Sequence, residues 1–430
     1  MPARHGRRAR AAALGLGALL AAVSARAQLV DAYFPPGVTG YQAGPGVTVA
    51  SRARPEYDPP GVRLGPLLLH PTLSEALGYD SNPTGTGAAR PGVLAAQRAA
   101  LQAATTWSRD NVSAYVSLDD ARYPALPSQS FTNWTVSLGQ QIDLGRDRLT
   151  LAAAHLALHQ SARDLNVPLL DHPGAYTVDD LRAAFATRRG PWRLEPGLEF
   201  IAYRYGAVTS GGRPLSQRGR DRNLLQGSLA TRWGNAALRD LVVVVRVANT
   251  HYLHGQIGQP AADSTSIAVL GGLDHAGGVW RTRALLGYQL RQFASSAYKA
   301  EAAPVLEAGL TWSPTGLTTA GLTLTRRIED QAAEGAAGYV LNEGRLALDH
   351  ELQRDVLLGA YVDLQRAEYP AGNGQATAGH ETVASAGGSA TWLIDRHLRL
   401  VGSYDHFDKR STLASSLTED TVLLRLVFGL

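Results

Sequence analysis

The chain has 430 residues, no cysteine and a formal net charge of +4. Without thiols it can form no disulfide, thiolate metal site or lipidated N-terminal cysteine. Nor does the charge indicate a nucleic-acid partner: five arginines fall within residues 1–27, and the remaining 36 basic residues face 37 acidic ones, a net of −1.

Arg4, Arg7, Arg8 and Arg10 form a basic stretch, Ala11 to Val23 an apolar run too short to span a bilayer, and Ala25-Arg26-Ala27 a cleavage site. Residues 1–27 therefore read as a cleaved secretory signal peptide. Residues 28–61 are rich in Pro and Gly (FPPGVTGYQAGPG, then RPEYDPPG) and are expected to be an extended, weakly ordered periplasmic segment. Such a segment serves as a spacer, a partner-docking arm or a plug lying in a pore.

From residue 62 to residue 430 apolar and polar residues alternate in runs separated by turn signals, which is strand periodicity. Strands are expected to begin near Leu67, Val93, Asn111, Phe131, Arg148, Ala175, Trp192, Arg220, Leu238, Ser264, Val279, Lys299, Thr315, Ala337, Arg354, Thr382, Arg396 and Glu419. In the last of them Val422, Leu424, Leu426 and Phe428 share one face, opposite Thr421 and Arg425. Two runs break the pattern: Glu75 shares a register with Leu69, Leu73 and Leu77, and the run from Leu149 to Gln160 changes its apolar face midway.

Connectors alternate in length. Long, polar ones (DSNPTGTGAARPG, QSARDLNVPLLDHPG, AVTSGGRPLSQRG, EYPAGNGQATAGH) take turns with tight ones (SRDN, LGRD, RRGP, GNAA, HAGG, SPTG, LQRD, IDR). No run has the roughly 20 apolar residues of a spanning helix. Short turns at one end and long loops at the other describe an all-β, antiparallel up-and-down transmembrane barrel of about 18 strands (16–18) in a Gram-negative outer membrane.

The tryptophans supply an independent sign. Trp107, Trp192, Trp233, Trp280, Trp312 and Trp392 fall at short-turn ends, and Trp134 does not. An indole couples a large apolar body to one N–H, so it settles where acyl chains meet headgroups. These six are expected to form a girdle at the membrane interface. Tyr79, Tyr123, Tyr176, Tyr205, Tyr252, Tyr298, Tyr339 and Tyr369 lie toward the long-loop ends and are expected to form the second girdle.

Three stretches carry a resemblance to a family: RPEYDPPGVRLGPLLLHPTLSEALGYDSN, LTWSPTGLTTAGLTLTRRIED, and the closing hairpin LRLVGSYDHFDKRSTLASSLTEDTVLLRLVFGL. They resemble the putative β-barrel porin type 2 family. The resemblance implies an outer-membrane pore, and some members are associated with exopolysaccharide export; it brings no catalytic motif. Such barrels usually end in Phe or Trp, whereas this chain ends Phe428-Gly429-Leu430.

If apolar residues face lipid, the opposite register faces the lumen. It holds Arg98, Arg222, Arg246, Arg283, Arg345, Arg399 and Arg425, with Glu199, Glu307, Glu343, Asp363 and Asp405 among them. Charges inside a pore set ionic preference, and guanidinium forks suit carboxylate, phosphate or sulfate. A mild preference for anions or acidic saccharides is expected, unless these residues merely pair across strands. Tyr115, Tyr203 and Tyr361 could stack on sugar rings or simply pack.

Metal and catalytic chemistry find little support. His155 and His159 share a face but stand roughly 13 Å apart, four residues along a strand. His251 and His254 point to opposite faces, and Asp119-Asp120 and Asp179-Asp180 lack calcium-loop spacing. His159 and Ser161 are the nearest approach to a base and nucleophile, with no supporting motif. The expected function is passive diffusion of small hydrophilic solutes, with no cofactor, metal or enzymatic activity. A dedicated exopolysaccharide conduit with a periplasmic partner is the alternative, an outer-membrane hydrolase is a lesser one, and a secreted soluble sandwich fails on the tryptophan placement. Expected partners are outer-membrane lipid, solutes or polysaccharide, and the outer-membrane assembly machinery; a monomer and a trimer both fit.

Overall fold

The computed structural model describes residues 37–41, 47–87, 89–165, 167, 170–236, 239–255, 260–330, 337–371 and 378–430. The signal-peptide reading, residues 1–27, falls outside them. Eighteen long strands follow one another: β1 (Leu67–Asp80), β2 (Gly92–Thr105), β3 (Asn111–Arg122), β4 (Phe131–Asp143), β5 (Asp147–Gln160), β6 (Gly174–Arg189), β7 (Trp192–Tyr205), β8 (Arg222–Ala236), β9 (Arg239–Tyr252), β10 (Ser264–Ala276), β11 (Trp280–Phe293), β12 (Glu301–Thr315), β13 (Thr318–Asp330), β14 (Gly338–Gln353), β15 (Val356–Tyr369), β16 (Gly379–Leu393), β17 (Leu398–Ser411) and β18 (Leu417–Gly429). Each pairs antiparallel with the next, and β18 returns to β1 from Thr72↔Gly429 to Asp80↔Thr421. Closure leaves the sheet without an open edge, as a strand protein in lipid requires. A three-residue strand, Val62–Leu64, folds onto the start of β1 through a turn at Gly65, whose φ of +58° favours glycine.

Side-chain alternation decides which face is which. On β18 Val422, Leu424, Leu426 and Phe428 are all exposed while Val427 is buried. Leu241, Val243 and Val247 on β9, and Leu346 and Leu348 on β14, repeat this outside-apolar pattern. Such a belt would be a severe aggregation hazard in water and is what acyl chains wet. Glu75 belongs to this outer face too, exposed opposite Gln97 of β2 and Leu426 of β18.

On β5 the register holds but the apolar residues change sides. Leu151 is exposed on the outside, whereas Leu156 and Leu158, nearer the long-loop end, are buried inside with Val178, Ile201, Tyr203 and Tyr205. The strand leaves the apolar belt and enters a region where the interior is filled. That filling also corrects the second aromatic girdle. Tyr123, Tyr205, Tyr252, Tyr298, Tyr339 and Tyr369 are buried, and of the eight tyrosines it named Tyr79 alone is among the strongly exposed ones, joined by Tyr288 and Tyr404.

Candidate permeation pathway

The inward register of the barrel carries the twelve charged residues expected to face the lumen, most of them in ion pairs. Arg98 of β2 meets Asp119 of β3 at 3.2 Å and donates to the Tyr115 hydroxyl at 2.7 Å. Arg425 of β18 lies within electrostatic reach of the same Asp119. Arg246 forks onto Glu307, Arg345 lies 3.5 Å from Asp363 with its guanidinium over Tyr361, and Arg182 lies 2.7 Å from Glu199. Arg232 holds Asp274 at 2.6 Å, with Arg283 further off at 3.9 Å. Arg222 stacks over Tyr203 and shares Asp330 with Arg291. Glu343 sits on the same register of β14, between Thr325 and Gln365. Two groups thus have two arginines per carboxylate, around Asp119 and Asp330, whereas Arg232 and Arg283 face both Asp274 and Glu195, the latter 3.7 Å from Arg232. Arg182 has the reverse, two carboxylates (Asp180 and Glu199).

Asp405 brings in a residue that the sequence reading missed. Arg163, in the loop between β5 and β6, crosses to the far wall and reaches Asp405 at 2.7 Å and Glu419 at 2.9 Å. Beside it Lys409 Nζ donates to the carbonyls of Ala162 and Asp164 at 3.1 and 2.6 Å. Leu165 is buried in a cluster with Tyr339, Leu341, Tyr369, Val383, Phe407 and Leu417. This loop therefore folds into the barrel and narrows its long-loop half. Its sequence, SARDLNVPLLDHPG, reads as polar at its ends, yet the apolar centre was the available sign. The next long loop joins it: Arg220 is fully buried, over the Tyr205 ring and donating to Gln160 at 3.0 Å.

Two stretches of the N-terminal segment lie against the inner wall of the barrel. Residues 37–41 lie on the β2–β6 wall, where Val38 is buried, Thr39 N–H donates to Ser113 Oγ at 2.8 Å, and the Tyr41 hydroxyl donates to Asp180 at 2.9 Å. Residues 47–61 lie on the β13–β18 wall. There Val49 N–H donates to Thr319 at 3.1 Å, Arg52 and Arg54 both bind Glu351, and Arg399 holds Asp58 at 3.2 Å. Ser113, Thr319, Glu351 and Arg399 all stand within three residues of the short-turn ends of their strands. This part of the Pro/Gly-rich segment is thus a strap inside the barrel. Residues 28–36 and 42–46 lie outside the described residues.

The tryptophans named as a girdle are all exposed at the short-turn end. Trp280 stacks on Trp312 with ring centres 5.2 Å apart, and Trp192 sits beside Trp233 at 6.4 Å. Trp107 and Trp392 complete the set, while Trp134 packs on His155 toward the other end. The two residues weighed as base and nucleophile have other partners: His159 Nδ1 meets Asn133 Oδ1 at 3.0 Å, and Ser161 Oγ accepts the Arg163 N–H at 3.2 Å. Among the described residues no cluster of His, Asp and Glu could hold a metal.

Comparison with known proteins agrees with this architecture. The family described as Putative beta-barrel porin 2 matches residues 54–429. No curated protein matches the chain. Among solved structures, Pseudomonas aeruginosa OccK9 is 11% identical, with 85% of this chain and 98% of that one covered and a TM-score of 0.44. Pseudomonas aeruginosa OpdL is 12% identical, with 85% and 100% covered and a TM-score of 0.42. The FrpB iron transporter of Neisseria meningitidis is 9% identical, with 80% and 62% covered and a TM-score of 0.43, so the chain spans about three fifths of that protein.

Proposed function

The chain belongs to the putative beta-barrel porin 2 family, and on that premise we propose that it is a bacterial outer-membrane pore for passive diffusion of small hydrophilic solutes along a charged lumen. The observation that carries this reading is the two-faced wall: apolar outside, and lined inside by Arg98, Arg246, Arg283, Arg345 and Arg425 with their carboxylates. Barrels of roughly 16–18 strands are wide enough for an aqueous channel. In this reading no bond is made or broken and no cofactor is needed.

Pairing makes the selectivity weak. The groups around Asp119 and Asp330 carry excess guanidinium, Arg232 and Arg283 are balanced by Asp274 and Glu195, and Arg163 and Arg182 each face two carboxylates. A mild anion preference is what the arginine-rich groups favour. The strap gives weight to a second reading, a gated conduit for an exopolysaccharide whose periplasmic partner displaces residues 37–61.

Single-channel recording of the refolded full chain in planar bilayers tests both. A steady ohmic current with a small anion-directed reversal potential is expected. A strongly cation-selective current would overturn the lumen assignment. A channel silent until the strap is displaced would move the reading to the gated conduit.

A further inference from the structure

The lipid-facing register of β1 is interrupted by a carboxylate. Leu73, Leu77 and Tyr79 point outward and are strongly exposed, and Glu75 stands exposed among them, five residues short of the strand's long-loop end at Asp80. On the adjacent strands it is paired with Leu426 of β18 and with Gln97 of β2, which is exposed as well. Among the described residues neither Glu75 nor Gln97 has a hydrogen bond or an ion pair, even with the other. Asp120, the residue paired with Gln97 on β3, is already held by Arg122 Nε at 2.7 Å.

Other charges on the outer register are placed differently. Asp120 with Arg122, Arg366 with Glu368 and Asp408 with Arg410 form ion pairs within three residues of the long-loop ends of their strands, where headgroups and water begin. Glu75 lies deeper, with apolar side chains on three sides. Acyl chains offer it and Gln97 neither donor nor acceptor, and a lone carboxylate on that face is destabilising. A phosphate headgroup would sit nearer the surface and carry the same sign of charge. The two residues therefore call for a polar cover at their own depth.

Their arrangement specifies that cover. The acceptor stands on β1 and an amide donor directly beside it on β2. A twofold axis along the membrane normal, passing between these strands, sets Glu75 of each copy against Gln97 of the other, so a single rotation satisfies both side chains. Ala95, Ala99 and Ala103 share the outer face of β2 with Gln97, and small residues let two backbones approach closely in lipid. We propose that the β1–β2 face joins two copies of this chain into a dimer within the membrane, through reciprocal hydrogen bonds between Glu75 and Gln97. The inference rests on the lipid-facing reading of the outer register.

Sedimentation equilibrium of the full chain in detergent tests it, with heat-modifiable gel mobility read on the same samples. The parent should be a dimer. Glu75→Leu with Gln97→Leu removes both reciprocal contacts and should raise the dimer dissociation constant about thirtyfold, while the barrel still forms. Because the chain has no cysteine, single introduced thiols can locate the face. A short bismaleimide should link copies through Ala95→Cys and not through Ala308→Cys, which lies on the outer register of β12. A monomeric parent, a dimer untouched by the double variant, or linking through position 308 would each overturn the proposal. A parent folded in water without detergent would overturn the membrane reading and the dimer with it. Gel mobility separates a misfolded variant from a dissociated one.

Discussion

Arg163 and Asp405 are 242 positions apart in sequence and 2.7 Å apart in space. The pair, extended by Glu419 at 2.9 Å and capped by the Phe407 ring 4.4 Å from the guanidinium, ties the β5–β6 loop to the opposite wall. Arg163→Ala would leave two buried carboxylates without their cation, a loss of about 3–5 kcal/mol. The loop should swing free of β17 and β18, and single-channel conductance should rise severalfold, with Arg163→Lys intermediate. A conductance equal to that of the parent would show that this loop does not narrow the path.

Asp164, the next residue, gives the same loop a dependence on pH. Burial pushes its carboxyl from an ordinary 3.8 up to about 6, against the opposing pull of the Ser161 N–H, Lys409 and Arg163. A carboxyl raised in this way holds its proton more tightly when docked than when free. Docking is therefore hindered above pH 6, where the buried group must ionise, and the hindrance fades as pH falls from about 6 to about 4. At about 1.4 kcal/mol per pH unit the full effect is on the order of 3 kcal/mol. Conductance measured at pH 8 should exceed that at pH 5, and Asp164→Asn should flatten the difference. A parent channel that conducts more at pH 5 would contradict the sign.

The strap can be released without touching its charges. A Cβ at Gly139 would press into the Thr39 carbonyl and stand 2.9–3.0 Å from the backbone C and N of that residue. All three are strap backbone, so the strap must give way, whereas a strand accepts Ala more readily than Gly. The opposing grip at this point is the hydrogen bonds between Thr39 and Ser113, each about 1 kcal/mol. Gly139→Ala should raise conductance and speed proteolysis within residues 37–61 at unchanged thermal stability of the barrel. Unaltered current together with unaltered protease resistance would argue that the strap does not close the inner mouth.

How much of this the sequence discloses depends on distance along the chain. Strand starts are local facts of alternation and turn chemistry, and those read from sequence lie within three residues of the observed ones. The two-faced wall follows from the same period of two. What fills the barrel is not local. Arg163 looks like any loop arginine until β17 and β18 are placed opposite it, and Tyr41 gives no sign of Asp180. The face change on β5 was visible as an irregularity, but its cause needed Val38, Tyr41 and Ile201 in position around Leu156. The tyrosines misled for a related reason. An aromatic at a strand end serves equally well at a lipid interface or in a packed interior, and Tyr339 and Tyr369, with ring centres 5.1 Å apart, take the second course.

The indoles offer the most direct check on the membrane reading. Trp280 and Trp312 are cross-strand partners stacked nearly parallel, at 12°, on the outer face beside the short turns. Two such rings contribute about 0.5–1.5 kcal/mol to each other beyond the area they bury, and more where headgroups accept their N–H groups. Trp312→Ala should therefore lower the free energy of urea unfolding in phospholipid vesicles by about 1–3 kcal/mol, with Trp312→Phe milder. The location predicts something a soluble stack would not show. Lipids brominated near the carbonyl end of the acyl chain should quench tryptophan emission more than lipids brominated at the terminal methyl. Aqueous iodide should quench least. Because Trp107, Trp192, Trp233 and Trp392 lie at the same end, the signal should survive loss of the Trp280–Trp312 pair, leaving Trp134 as the one indole nearer the opposite interface. Strongest quenching by iodide would place the rings in water and remove the basis for a lipid-facing belt.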